Sequence, residues 1–258
     1  MLPATRVIPK PMIAVVDRPV IQYVVEEAAA CGVTEVVLVI DERPGNPVLS
    51  HFTEGAPIEG LEGISFTAVM QDHPRGLGDA VLRAADAVGR RPFVCLLSDN
   101  MFPDPADAFT SSLVESFDGR AVVAVREIEG DLFDRYGVVE IERPEGESLV
   151  SVTGAVEKPG AEQAPSSLGL VGRYVFPPEI FDALGGLDAG YGGEVQLTDA
   201  IDHLARDAGA LGQIVDDSLM DVGIPLGLAQ ATTAASLSRP DLAVSYREYL
   251  KRILGGSQ

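Results

Sequence analysis

Lysine is almost missing from this chain, which holds three lysines against sixteen arginines. Two of the three, Lys10 and Lys158, stand beside prolines, in Ile8-Pro9-Lys10-Pro11 and Val156-Glu157-Lys158-Pro159. Lysine is a compact point charge on a flexible stem, so its use there reads as a chemical choice or as a by-product of nucleotide composition. Cysteine is scarce as well: Cys31 and Cys95 are the only two, both in apolar surroundings. That excludes a disulfide frame and fits buried thiols in a reducing compartment, with neither placed as a nucleophile. Long apolar runs are absent; stretches such as Val36 to Ile40 run about five residues, far short of the roughly 20 that cross a bilayer. The N-terminus carries no charged region followed by an apolar run, so no secretory signal is readable and a cytoplasmic protein is expected. Positive charge is in deficit too, with a formal net charge of -20. Such a surface repels polyanions, which argues against nucleic acid or an anionic membrane as partner. A phosphate ligand would have to be met locally, by a few placed cations and a Mg²⁺ held on carboxylates.

The 258 residues, 46% of them hydrophobic, suffice for one large α/β domain or a domain with a small appendage. Apolar β-branched runs at Val36 to Ile40, Ser65 to Met70, Phe93 to Leu97 and Ala121 to Val125 read as buried strands. Between them Pro19 to Ala30 reads as a helix, started by Asp17 and Pro19 and stopped by Gly32, with Ile21, Val24, Val25 and Ala28 on one face. Asp79 to Val88 and Asp104 to Phe117 repeat that pattern, and the alternation predicts a mixed, mostly parallel sheet. After Arg126, Tyr136 to Ile141, Leu149 to Glu157 and Leu170 to Phe176 read as antiparallel strands, the first two parted by the turn Pro144-Glu145-Gly146-Glu147. Helices follow at Glu179 to Leu184, Leu197 to Ala208 and Leu226 to Leu237, and Pro240 sets off a C-terminal helix from Asp241 to Leu254. The expected organisation is one domain over residues 1–239 and a terminal helix over 240–258. A homo-oligomer is compatible with this composition.

Five places could carry chemistry. The prolines around Lys10 fix an extended loop that can aim an ammonium, or leave an ordinary exposed lysine in a proline turn. Gln71 closes a strand, and Arg75-Gly76-Leu77-Gly78 opens the next helix; strand end and glycine turn suit a base edge, though such turns are common in structural roles. Asp99 in Ser98-Asp99-Asn100 is presented at the same sheet edge and suits Mg²⁺, or is a turn-forming Asp-Asn pair. Asp221 is the second carboxylate such an ion would take. Gly137 allows a sugar ring close approach. Glu157 and Lys158 would offer a hydroxyl acceptor and a phosphate cation if the strand ends there, as Pro159 suggests; otherwise both charges stand in water.

In order along the chain, Met1-Leu2-Pro3-Ala4-Thr5, Ile8-Pro9-Lys10, Asp17-Arg18-Pro19, Ile21-Gln22-Tyr23-Val24-Val25, Gly76-Leu77-Gly78, Tyr136-Gly137-Val138-Val139, Val156-Glu157-Lys158-Pro159, Val171-Gly172-Arg173-Tyr174 and Glu194-Val195-Gln196-Leu197-Thr198-Asp199-Ala200-Ile201 resemble the bacterial UTP–glucose-1-phosphate uridylyltransferases. The resemblance runs from Met1 to about Gly227. It implies an α/β, Rossmann-like nucleotidyltransferase fold with a sugar-binding extension, and Mg²⁺-dependent reaction of a nucleoside triphosphate with a sugar 1-phosphate. It also implies roles: Lys10 on the triphosphate, Gln71 and Gly76 on the base, Asp99 and Asp221 on the metal, Gly137 and Glu157 on the sugar, Lys158 on the sugar phosphate. All four charged groups, two ammoniums and two acids, should then meet at one rim of the sheet.

Three departures qualify the resemblance. The family has a first, central strand and a glycine-rich loop ending in Gly-Thr-Arg just before Met-Leu-Pro-Ala-Thr, where this chain starts; a start codon placed late or a gene fragment is the simplest reading. A homologue that binds sugar phosphate without catalysis is the alternative it raises. The segment from Phe52 to Ser65 is shorter than in the uridylyltransferases, and Ser98-Asp99-Asn100-Met101-Phe102 is closer to the glucose-1-phosphate thymidylyltransferases, which keeps a thymidylyltransferase open.

Overall fold

In the computed structural model, residues 3–43, 45–104, 109–144 and 148–255 are described. The strands are β1 (Ala14–Val15), β2 (Arg18–Pro19), β3 (Glu35–Asp41), β4 (Ser65–Gln71), β5 (Phe93–Leu96), β6 (Asn100–Met101), β7 (Ala121–Glu127), β8 (Gly137–Pro144), β9 (Leu149–Glu157), β10 (Leu168–Phe176), β11 (Ala210–Ile214) and β12 (Met220–Asp221). The helices are α1 (Val20–Ala30), α2 (Pro47–Thr53), α3 (Leu77–Arg83), α4 (Ala85–Val88), α5 (Phe109–Glu115), α6 (Glu179–Gly185), α7 (Leu197–Ala208), α8 (Pro225–Ser238) and α9 (Ala243–Gly255).

The main sheet runs β5-β10-β7-β11-β9-β8. Valine-rich β7 and all of β10 are shielded on both faces, which is why they read as unbroken apolar runs rather than alternating ones. The sheet is mixed, with β7 and β11 parallel, and β3 and β4 form a separate parallel pair. Parallel pairs are fewer than the alternation of strands and helices suggests, because β10 returns from the β8–β9 extension and inserts antiparallel between β5 and β7. It kinks as it does so: its register on β7 shifts between Leu170 and Tyr174, and Gly172 there has φ of +48°.

Helix α1 is buried almost all round. Ile21 and Val25 join Leu38, Val48 and Leu61 in one apolar cluster, and Val20 and Tyr23 join Met101, Val222 and Ala231 in another. The predicted helix over Asp79 to Val88 is broken into α3 and α4 at Ala84. The helix expected from Asp104 is observed only from Phe109, residues 105–108 lying outside the described ones, and the turn at Glu145 to Glu147 lies outside them as well. Asp17 does not cap α1; its carboxylate pairs with Arg239, while Pro19 occupies the cap position.

A cavity of about 610 Å³ separates β3 from β5, walled by Val37 and Val39 on one side, Phe93 and Cys95 on the other, and Val25 and Ala80 above and below. Among the described residues β3 pairs only with β4, and β5 only with β10. Two strand edges therefore face this cavity without partners, and it lies where a central strand of the sheet would run.

Candidate active site

Two short strands bring the predicted metal acids together. β6 and β12 pair antiparallel, Asn100 opposite Asp221, and the Val222 amide donates to the Asp99 carbonyl at 2.8 Å. The side chains converge over Gly223: a Cβ built there would lie 2.9 Å from Asp221 Oδ1 and 3.2 Å from Asp99 Oδ2. Burial raises the Asp99 carboxyl above the usual carboxylate range; the Lys10 ammonium opposes this and Asp221 adds to it. Asn100 Nδ2 donates to Asp99 Oδ1 at 3.1 Å, the Gly223 amide donates to Asp221 Oδ1 at 2.8 Å, and Arg135 lies 3.4 Å from Asp221 Oδ2.

Lys10 is not in an extended loop as predicted but opens a single 3₁₀ turn, Lys10–Met12. Pro9 and Pro11 have the φ and the missing N–H that the first residues of such a turn accept, so the prolines fix a turn. The ammonium is exposed, yet near enough to act on Asp99.

Glu157 and Lys158 also converge. β9 ends at Glu157, and Lys158 adopts φ of +45°, a left-handed conformation that a non-glycine residue holds only when its surroundings require it. The sharp turn lets two side chains that a regular strand would send to opposite faces meet, with Lys158 Nζ 3.1 Å from Glu157 Oε1. The ammonium also lies 5.2 Å from the Tyr191 ring centre. Thr198, in the first turn of α7, donates its hydroxyl to Glu157 Oε2 at 2.6 Å.

Asp99, Arg135, Gly137, Glu157, Thr198 and Asp221 line one cleft of about 240 Å³. Gly137 also makes room within the protein: a Cβ would stand 2.5 Å from Thr198 Oγ1, the hydroxyl that holds Glu157. The same holds at Gly76, with φ of +105°, where a Cβ would meet the Val195 carbonyl at 2.6 Å. Gln71 ends β4 with its amide nitrogen committed, donating to Asp79 Oδ2 at 2.8 Å and the Gly76 carbonyl at 3.1 Å. Both partners are acceptors, so the amide orientation is forced and its oxygen is left to accept. Leu77, beside Gly76, reaches the cleft.

Sequence reasoning missed Thr198, Arg135 and the hydroxyl of Tyr136, which lies 3.4 Å from Asp221 Oδ2. Thr198 had a signal, the polar residue opening a helix after Gln196; Arg135 and Tyr136 had none beyond adjacency to Gly137. Neither cysteine is among the residues that line the cleft, and burial pushes the Cys95 thiol up to about 12 and raises that of Cys31.

This layout has close relatives. The model of the nucleotidyl transferase family matches residues 1–236. The chain belongs to that family. Within it, the UTP–glucose-1-phosphate uridylyltransferase of Streptococcus pyogenes is 34% identical over 273 residues, covering 98% of this chain and 90% of the relative. That of Streptococcus pneumoniae is 34% identical over 270 residues, 96% and 90% of the two chains. Among solved structures, a UDP-glucose pyrophosphorylase complexed with UDP-glucose superposes with a TM-score of 0.83 at 30% identity, covering 93% of this nucleotidyltransferase and 94% of that chain. A UTP-bound enzyme of the same kind from Acinetobacter baumannii gives 0.81 at 30% identity, over 100% and 94%. No helix among the described residues is long and apolar enough to cross a membrane.

Proposed function

We propose that this nucleotidyltransferase joins UTP and glucose 1-phosphate into UDP-glucose, releasing pyrophosphate. The observation that carries the reading is the shared cleft, in which Asp99 and Asp221 face one point while Glu157 is held beside them on Thr198. The names of the streptococcal relatives and the UTP and UDP-glucose in the solved neighbours support the choice of nucleotide and sugar.

Two hard carboxylates within reach of one point fit Mg²⁺, which takes one or two protein carboxylates and fills its shell with water and substrate phosphate. No group of three or more metal-ligating side chains lies among the described residues, in keeping with a site that substrate completes. Bound between Asp99 and Asp221, the ion would neutralise phosphate charge during transfer. The chain's own residues do the rest. Lys10 meets the triphosphate, Lys158 holds the sugar phosphate, and Glu157, fixed by Thr198, accepts from a sugar hydroxyl. With both substrates aligned, the sugar phosphate oxygen attacks the α-phosphorus in line and pyrophosphate leaves, with no covalent enzyme intermediate.

Gln71 offers only an acceptor oxygen, which suits a base with a donor at N3, uracil or thymine, and disfavours cytosine. Gln71→Leu is expected to cut the preference for UTP over CTP in kcat/KM about tenfold, the worth of one hydrogen bond of roughly 1.4 kcal/mol. Thr198→Val frees the Glu157 carboxylate and is expected to raise the KM for glucose 1-phosphate about tenfold, with kcat changed less; initial rates at varied sugar phosphate check this.

A second reading, binding without turnover, is favoured by the cavity between β3 and β5, because Pro9 and Pro11 on either side of Lys10 form part of its wall. The triphosphate side of the site would then be incomplete. Pyrophosphate release by the purified chain with Mg²⁺, glucose 1-phosphate and either UTP or dTTP decides. Turnover with UTP above dTTP supports the uridylyltransferase, the reverse a thymidylyltransferase, and no turnover with UDP-glucose still bound the second reading.

A further inference from the structure

Among the described residues Arg173 is the largest side chain fully withdrawn from solvent, and nothing in the reaction above uses it. A buried guanidinium has five N–H groups to satisfy, and the geometry here uses them in two directions. Toward α1, Nε and Nη2 donate to the two oxygens of Glu27 at 2.7 and 2.8 Å, a bidentate pair, and the Thr110 hydroxyl of α5 donates to the same carboxylate. Toward the site, Nη2 donates to the Asn100 carbonyl at 2.7 Å and Nη1 to the carbonyls of Leu97 at 3.2 Å and Gly172 at 3.0 Å.

Leu97 and Asn100 are the two ends of the turn that carries Asp99. The kink in β10 receives this turn: the Leu97 amide donates to the Gly172 carbonyl at 2.9 Å, and Asn100 packs where a Cβ on Gly172 would stand, 2.9 Å from its Nδ2. One guanidinium thus grips both carbonyls flanking Asp99, and is itself aimed by Glu27 and Thr110 from two helices.

We propose that Arg173 is a positioning residue that fixes the Asp99 turn in the place where its carboxylate meets a divalent cation shared with Asp221. The proposal rests on the metal-facing reading of Asp99. A lysine at 173 could keep the charge pair with Glu27, but a single ammonium cannot span Leu97 and Asn100 as a planar fork does. Thr110→Val is the milder test, removing the hydroxyl that steadies Glu27 while leaving the ion pair.

The experiment is Mn²⁺ titration of the whole protein with UDP-glucose present, free ion read by electron paramagnetic resonance, alongside thermal unfolding. Arg173→Lys is expected to weaken Mn²⁺ binding about tenfold or more, and Thr110→Val several-fold in the same direction. Val175→Ala, a buried change on the same strand, should lower the melting temperature and leave the Mn²⁺ constant within twofold. Rates at saturating metal should show the KM for UTP nearly unchanged in Arg173→Lys. Should Arg173→Lys prove insoluble, Thr110→Val decides. If the variants lose thermal stability like Val175→Ala yet keep the parent Mn²⁺ constant, the network is only structural and the proposal is overturned. If the parent protein shows no Mn²⁺ binding that depends on UDP-glucose, the metal reading of Asp99 falls first and takes the proposal with it.

Discussion

Replacing Asp99 by asparagine is expected to reduce kcat for UDP-glucose formation by about a thousandfold while leaving the protein as stable as before or more so. The two effects have one cause. Asp99 is held in a buried position that disfavours its charge, so its carboxyl is raised above the usual range, and a neutral amide of the same shape suits that position better. The sign with pH follows. A carboxyl whose native pKa is raised holds its proton in the native state at pH values where the unfolded chain has lost it. In metal-free protein Asp99 therefore adds stability as the pH falls from above its raised pKa toward the ordinary carboxylate value, and Asp99→Asn removes this dependence. Thermal unfolding of both proteins from the ordinary carboxylate pKa upward checks the stability half, and pyrophosphate release checks the catalytic half. A variant that loses activity only because it unfolds would contradict the assignment.

Gly227→Ala should be damaging in a different way. Gly227 is buried at the start of α8, and a Cβ there would overlap the Asp221 carbonyl oxygen, with the Asp221 carbonyl carbon at 2.8 Å and Ile224 Cγ1 at 3.3 Å. The obstacle is backbone, which cannot rotate aside as a side-chain end can, so either α8 or β12 must shift. Overpacking of this kind costs about 3 kcal/mol, which for a chain of this size lowers the melting temperature by about 10 °C. Because β12 carries Asp221, activity should fall about a hundredfold beyond what unfolding explains. Gly185→Ala is the control: nothing lies within 4 Å of a Cβ there and no positive φ is involved, so little change is expected.

The two predictions also mark what was legible in the sequence. The buried strands were, because β3, β4, β5 and β7 are apolar runs with polar punctuation, and their observed limits fall within two residues of those read from the pattern. So were the places of Asp99 and Gln71, polar residues at the ends of apolar strands: Gln71 closes β4 and Asp99 follows β5, the edge where open α/β sheets bind ligands. The convergence of Glu157 with Lys158 could be stated as a condition, that the strand end there, and the left-handed backbone at Lys158 meets it.

What could not be read depends on long-range packing. Lys10 was expected in an extended loop, but the same prolines also suit a 3₁₀ turn, and only contact with α1 and α2 selects between them. Gly76 and Gly137 stand out in the sequence as places for ligand approach, but nothing local shows that their immediate neighbours are the Val195 carbonyl and the Thr198 hydroxyl, both more than fifty residues away in sequence. Arg173 sits in an apolar strand where no local pattern hints that its partner is Glu27, 146 residues earlier. Local signals identify strand ends and turns; which of them face one another is decided by topology, as where β10 entering between β5 and β7 brings Arg173 under the Asp99 turn.

In the proposed reaction Asp99 and Asp221 share one cation beside Glu157. Anomalous scattering from Mn²⁺ in crystals grown with UDP-glucose reads this directly. A single strong peak between the two carboxylates and in contact with a phosphate oxygen, with the glucose against Glu157, is the result expected. A sugar nucleotide bound elsewhere, or a metal peak that touches neither acid, would contradict it.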